Sequence, residues 1–245
     1  MKELDVATRS VGSWCQIAHP AIAEILARAG FQWIAADCEH GEFETGDIAT
    51  FVRAVRQFDC IPLVRVRENA TLPIRRALDL GAAGVIVPLV HTAEDARRAV
   101  KSARYPPDGV RGFAWHRANS WGVDFDSYAR DFDPLVLVMI ESKEGVDNAE
   151  KILAVDGVDG CFVGPYDMTG SYGILGQTGH TLIRDAMQTV ADAARVNRKA
   201  AGQHIVTPTS DNVALAFEQG YTFVALGMDS YFLSGGASRV LGLLE

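Results

Sequence analysis

The chain has 245 residues, 48% of them hydrophobic and 22% charged, which is ordinary globular composition with ample apolar material for a core. A net charge of -8 argues against a nucleic-acid binder, and no uninterrupted apolar run approaches the roughly 20 residues of a membrane span. The four cysteines, Cys15, Cys38, Cys60 and Cys161, form no CxxC pair. They read as buried free thiols in a reducing cytosol, and a disulfide framework or zinc site is disfavoured. The opening MKELDVATRS has no apolar segment of signal-peptide type, so a soluble cytoplasmic protein is expected.

Along the chain, short β-rich runs alternate with longer helix-like stretches. Val11–Ile17 precedes a helix over Pro20–Ala29; Phe31–Ala36 precedes Thr45–Gln57; Ile61–Val66 precedes Leu72–Leu80; Gly84–Pro88 precedes Ala93–Ala103. After an irregular stretch, Tyr105–Asp124, the pattern resumes. Leu135–Ile140 leads into Lys143–Ala154, Gly160–Val163 into Leu182–Asn197, Gln203–Val206 into Ser210–Glu218, and Phe223–Leu226 into Ser230–Leu244. Most of the runs are apolar almost throughout, as strands covered on both faces should be. Glycine closes several of the helices, as in "ARAGF", "DLGAAG" and "EQGY". About eight βα units in one such length predict a single-domain (β/α)8 barrel over residues 1–245. The competing architecture is an open doubly wound sheet, lowered by the absence of GxGxxG or GxxxxGK[ST] after any strand.

Barrel enzymes gather their reactive groups at the carboxyl ends of strands. Asp37, Glu39 and His40 follow the second run, Arg65 ends the third, Glu141 ends "PLVLVMIE", and Asp167 follows "CFVG". Glu141 and Asp167, on different strands, are suited to a hard divalent ion such as Mg2+ or Mn2+; the bland reading is that each caps the helix that follows. Arg65 is suited to clamping a carboxylate with two parallel hydrogen bonds, or to a structural ion pair. His40, with Asp37 or Glu39 to orient it, reads as a general base. A competing reading makes the 37–40 cluster itself the metal site, for Zn2+ or Fe2+ as well. His204 reads as core. His116, with Arg111, Arg117 and Trp121 in the long irregular stretch, reads as a substrate or subunit contact or as a solvated turn. None of Lys2, Lys101, Lys143, Lys151 and Lys199 lies inside an apolar run, which disfavours Schiff-base chemistry, and no G-x-S-x-G elbow is present.

These motifs, taken together, resemble the HpcH/HpaI aldolase family, metal-dependent class II pyruvate aldolases, over nearly the whole chain. The carriers are "GSW" at Gly12–Trp14, "AGFQWIAADCEHG" at Ala29–Gly41, "PLVRV" at Pro62–Val66, "GAAGVIVPLV" at Gly81–Val90, "YPPDGVRG" at Tyr105–Gly112, "MIESKEGVDN" at Met139–Asn148 and "VDGCFVGPYDMTGSYG" at Val158–Gly173. The resemblance implies a (β/α)8 barrel whose last helix is exchanged between paired subunits, in a hexamer built as a trimer of dimers. It implies cleavage of a 4-hydroxy-2-oxo acid to pyruvate, or a close 2-oxo acid, and an aldehyde through a metal-bound enolate, with Mg2+, Mn2+ or Co2+ as cofactor. By the same likeness Glu141 and Asp167 ligate the metal, Arg65 holds the oxo acid, and His40 with Asp37 moves the proton. Glu39 belongs to the same motif, and Trp14 with Gly164, Tyr166 and Asp167 surrounds the substrate. Met168 and Thr169 depart from the leucine and serine more usual there, which bears on aldehyde specificity. Rival readings are a citrate-type condensation on related enolate chemistry and a non-catalytic oxo-acid-binding barrel.

Overall fold

The computed structural model describes residues 4–244; the outermost residues of the 1–245 span, and the first three of the N-terminal stretch, lie outside the described residues. Eight parallel strands close into a barrel in sequence order, with β8 pairing back onto β1. They are β1 (Ser10–Cys15), β2 (Trp33–Asp37), β3 (Ile61–Arg65), β4 (Gly84–Val87), β5 (Leu135–Ile140), β6 (Gly160–Val163), β7 (Ala200–Ile205) and β8 (Phe223–Met228). The helices are α1 (Pro20–Arg28), α2 (Thr45–Val55), α3 (Thr71–Asp79), α4 (Ala93–Ala103), α5 (Phe125–Asp131), α6 (Lys143–Asp147), α7 (Ala149–Leu153), α8 (Pro165–Ser171), α9 (Thr181–Val196), α10 (Ser210–Glu218) and α11 (Asp229–Leu241). The expected (β/α)8 barrel is therefore found, and the open sheet is not.

The strands are apolar on both faces because each face meets a different core. In β5, Leu135, Leu137 and Met139 join the cluster inside the barrel, while Val136, Val138 and Ile140 join the larger cluster under the helices. Strand periodicity of two then fixes the register. A one-residue slip would turn six buried apolar side chains to the wrong layer, at roughly 1.5–3 kcal/mol for each one left unburied. At the floor of the barrel Gly12 makes room for Trp33: a Cβ there would stand 2.0 Å from the indole ring.

Three departures from the sequence pattern are local. The expected Lys143–Ala154 helix breaks at Asn148, where the backbone leaves helical geometry and the side-chain amide donates to the carbonyl of His91 at 3.1 Å. β7 begins three residues before the expected Gln203, in a run of small residues. The long irregular stretch contains a 3-10 segment, Arg117–Gly122, and is followed by α5. Its polar residues do not reach the barrel mouth. Arg111 is fully buried, bonded to Asp79 at 2.8 Å and stacked on Tyr105. Arg117 donates to the carbonyl of Leu80, at the end of the barrel opposite the site. Trp115 and Trp121 of this stretch stand exposed.

All four cysteines are free and buried, and burial pushes the thiols of Cys38, Cys60 and Cys161 up to about 12. No helix among the described residues is long and apolar enough to cross a membrane.

Candidate active site

The inward alternation of β2, Trp33–Ala35–Asp37, and of β3, Ile61–Leu63–Arg65, delivers an acid and a base to the mouth of the barrel. The register of the two strands sets Asp37 directly opposite Arg65. The guanidinium Nε donates to Asp37 Oδ1 at 2.8 Å and NH2 to Oδ2 at 2.6 Å. Oδ1 also accepts the backbone N–H groups of Glu39 and His40, both at 3.1 Å, and Oδ2 accepts the Gln16 amide at 3.3 Å. Burial alone would raise the pKa of this wholly buried carboxyl, but the Arg65 hydrogen bonds and charge, with the His40 and Gln16 donors, hold it below the usual value.

This arrangement bears on two alternatives that the sequence leaves open, a substrate clamp or an ion pair for Arg65 and Asp37 or Glu39 as the acid beside His40. The two-pronged face of Arg65 is committed to Asp37, which leaves NH1 as the nitrogen turned elsewhere, 3.2 Å from Glu39 Oε2 and 4.0 Å from Met139 Sδ. The imidazole of His40 does not pair with Asp37, whose oxygens are filled; the acid beside it is Glu39, with Nε2 and Oε2 3.7 Å apart. The His40 side chain is 63% exposed, so it can exchange protons with water. Glu39 Oε2 is buried without a hydrogen bond: its approach to Arg65 NH1 is an ion pair lacking hydrogen-bond alignment. Burial first, then the charges of Asp37 and Asp167, push the Glu39 carboxyl up despite Arg65.

On the far side of the mouth, β5 continues its inward set, Leu135–Leu137–Met139, to Glu141. Oε1 of Glu141 accepts the backbone N–H of Leu89 at 2.8 Å. Leu89 supplies that donor from a left-handed backbone (φ 55°), which is uncommon for a residue with a side chain and marks a constrained position. Oε2 turns toward Gly164, and so does Asp167 from the first turn of α8. A Cβ on Gly164 would stand 2.8 Å from Glu141 Oε2 and 3.2 Å from Asp167 Oδ2. The missing side chain is therefore what lets the two carboxylates converge. Burial, with the charges of Glu39 and Asp167, pushes the Glu141 carboxyl above its usual range.

Two oxygen donors converging on a cradle that a Cβ would fill, beside a buried and orphaned carboxylate oxygen, fit a hard divalent cation. Among the described residues no group of three or more His, Cys, Asp and Glu side chains is placed to hold an ion alone. A cation on Glu141 and Asp167 would keep positions for water or substrate oxygens. The saturated Asp37 makes the alternative metal site over residues 37–40 a poor fit.

A cavity of about 210 Å³ opens beside this set, lined by Trp14, Arg65, Gly164, Tyr166, Asp167 and His204 among others. Its floor is aromatic: the guanidinium carbon of Arg65 lies 4.7 Å from the Trp14 ring centroid, and Trp14 meets Phe162 edge-on. Tyr166 is exposed at the rim. Thr169, fully buried, ties α8 down by donating to the carbonyl of Tyr166 at 2.6 Å and accepting the N–H of Gly176. Lys143 is exposed and paired with Asp147, away from the cavity. A larger groove of about 410 Å³ lies outside the barrel, against Phe43, Ile48 and Leu72, and does not include the converging carboxylates. Sequence reasoning missed Gln16 and the Leu89 N–H. The first carries no charge, and the second depends on a backbone conformation that no residue type announces.

Residues 10–234 match the family model described as HpcH/HpaI aldolase/citrate lyase. The chain belongs to that family. It is 39% identical over 221 residues to a 5-keto-4-deoxy-D-glucarate aldolase of Klebsiella pneumoniae, covering 89% of this chain and 86% of the relative. Among solved structures it is similar to an HpcH/HpaI aldolase/citrate lyase family protein from Burkholderia cenocepacia J2315, with a TM-score of 0.92, 32% identity and coverage of 97% and 95%. It is also similar to the citrate synthase SbnG, with a TM-score of 0.85, 28% identity and coverage of 97% and 93%. Family membership and barrel thus agree, and aldolases and a citrate synthase both stand among the chain's relatives.

Proposed function

We propose that the chain is a divalent-metal-dependent carbon–carbon lyase that reversibly cleaves a 4-hydroxy-2-oxo acid to pyruvate and an aldehyde. The convergence of Glu141 and Asp167 over Gly164, beside the buried Arg65, carries this reading. The acid for which the Klebsiella relative is named has this 4-hydroxy-2-oxo pattern, and a compound of that class is the proposed substrate. A cation held by Glu141 and Asp167, Mg2+, Mn2+ or Co2+, would act as a Lewis acid toward negative charge on the 2-oxo group. The first-turn N–H groups of α8, at Tyr166 and Asp167, have no intrahelical partners and receive the substrate carboxylate. Arg65, fixed by Asp37, presents NH1 and its charge to the same oxygen region. His40 removes the 4-hydroxyl proton, with Glu39 as the neighbouring acid. The electron pair of that O–H bond forms the aldehyde carbonyl, the C3–C4 pair moves into the enolate of pyruvate, and protonation at C3 releases pyruvate. Trp14 forms the wall against which the three-carbon fragment lies.

The test is a panel of oxo acids and aldehydes assayed with each metal against a chelator-treated control, scoring pyruvate release and acyl-thioester consumption. Metal-dependent pyruvate release is the expected result. Thioester consumption without it would transfer the assignment to the citrate-type condensation suggested by the likeness to SbnG. His40→Ala is expected to lower kcat by about 10²- to 10⁴-fold while metal still stabilises the fold. If that variant loses metal binding and Glu141→Ala keeps it, the ligands are the 37–40 cluster instead.

The proposal extends to a homo-oligomer, a hexamer arranged as a trimer of dimers with α11 exchanged between subunits. Leu233, Val240 and Leu241 of α11, and Leu243 and Leu244 beyond it, are exposed on the single chain, more apolar surface than one isolated helix end ordinarily leaves in water. Light scattering is expected to give six times the chain mass, and a monomer in solution would refute it. A cytoplasmic location completes the reading, in keeping with four free thiols; recovery of the native protein from a secreted fraction would contradict it.

A further inference from the structure

His204 fits the core reading of its strand poorly. β7 sends Ala200 into the inner cluster, and Gly202 faces the same way, since a Cβ there would stand 2.7 Å from the Phe162 ring. Two residues further on, the strand period turns His204 inward too. It lies in the uppermost layer of the barrel, at the wall of the 210 Å³ cavity, with its ring 6.2 Å from that of Trp14. Nε2 lies 2.9 Å from the carbonyl oxygen of Gly227. A carbonyl cannot donate, so Nε2 carries the proton and Nδ1 holds a lone pair. Nδ1 has no hydrogen-bond partner among the described residues and is not one of the sealed, unpaired atoms, so it is open to the cavity. Burial, helped by the charge of Arg65 and opposed by the Gly227 bond and Asp37, pushes the imidazole down to about 4. It is therefore a neutral acceptor at physiological pH. The other acceptors at this mouth are charged or committed: Asp37 is saturated, Glu141 and Asp167 face the cation cradle, and Gln16 Oε1 takes the hydroxyl of Ser230 at 2.9 Å. Trp14, Phe162, Met139 and Met228 make the inner wall largely apolar, and the Tyr166 hydroxyl belongs to a side chain exposed at the rim.

We propose that His204 Nδ1 accepts a hydrogen bond from a substrate hydroxyl and so selects hydroxylated over deoxy compounds in this cavity. The inference rests on the aldolase reading and deepens it. That hydroxyl can sit on the aldehyde portion or on C3 of the oxo acid, and two assays separate the sources. Glycolaldehyde is compared with acetaldehyde as acceptor for pyruvate, and hydroxypyruvate is compared with pyruvate as donor to acetaldehyde, all with Mg2+. The quantity read is the hydroxy-over-deoxy ratio of kcat/KM, taken within each variant so that a general loss of folding or turnover cancels. In His204→Leu this ratio is expected to fall about tenfold in one pair, which names the source. His204→Gln, which retains both a donor for Gly227 and an acceptor for the cavity, is expected to keep the ratio within about threefold of wild type. Ratios unchanged in both pairs for His204→Leu, with the wild type active, would overturn the role of His204 and leave the aldolase reading standing. A wild type that turns over neither pair would overturn both.

Discussion

Replacing Glu141 by glutamine is expected to lower metal-supported kcat/KM by about 10³-fold while leaving the barrel intact, since the Lewis-acid contribution it removes is several kcal/mol. Glutamine matches the shape of glutamate and can still offer a carbonyl oxygen to the Leu89 N–H, now held at 2.8 Å. The change therefore deletes one charge at the Gly164 cradle and little else. Its effect on stability has a definite sign. Burial and the charges of Glu39 and Asp167 raise the Glu141 pKa, so in the metal-free fold the ionised form is disfavoured relative to the unfolded chain. A raised carboxyl pKa subtracts stability at neutral pH and returns it as the pH falls through the raised value. The metal-free variant should thus melt at or above the wild-type temperature at pH 7. Saturating Mg2+ should reverse the order, because only the wild type has both ligands and binding adds stability by mass action. Thermal unfolding with and without Mg2+, alongside kcat/KM, checks both. A variant stabilised by Mg2+ as strongly as the wild type would remove Glu141 from the metal site.

The reason so much of this site was legible in the sequence is strand parity. Trp33–Ala35–Asp37, Ile61–Leu63–Arg65 and Leu137–Met139–Glu141 each step by two from the barrel interior to a charged residue at the carboxyl end. A sequence read as eight buried parallel strands therefore already places these acids and this base on one rim. The partners they choose were not legible. Asp37 and Arg65 are adjacent because of register between β2 and β3, which depends on barrel shear and not on either strand's residues. A different limit hid α8: between the sixth strand run and the Leu182–Asn197 helix no further helix is expected, because Gly164 and Gly170 weaken the helical pattern although proline at the first helical position is compatible with a helix. It also hid His204: Ala200, Ala201 and Gly202 lack the β-branched signature of a strand, so the parity that turns His204 inward had no visible starting point.

Arg65→Ala is expected to produce the largest combined loss, in stability and in turnover. Among the described residues the guanidinium is the only cation paired with Asp37, whose side chain is 0% exposed, and the Arg65 side chain is itself 12% exposed. Removing one partner of a buried pair leaves an uncompensated charge and costs about 3–5 kcal/mol, which for a chain of this size lowers Tm by about 10 °C. Turnover should fall by about 10²- to 10³-fold at pH 7, because the charge beside the developing enolate goes with it. Arg65→Lys keeps the charge but lacks the planar fork that meets both Asp37 oxygens, and should fall between the wild type and the alanine variant. The pH dependence separates a buried-charge effect from simple loss of packing. In the wild type the Asp37 pKa is depressed, so its stabilisation is complete above the unfolded value near 3.9 and is lost as the pH drops through the folded value. In Arg65→Ala burial acts unopposed by Arg65, the Asp37 pKa rises above that value, and the variant regains stability as the carboxyl takes up a proton. The gap in unfolding free energy between the two proteins should therefore be widest near pH 7 and narrow steadily toward pH 4. A gap that stays constant over that range would mean that Arg65 contributes packing alone and that the Asp37 carboxylate does not depend on it.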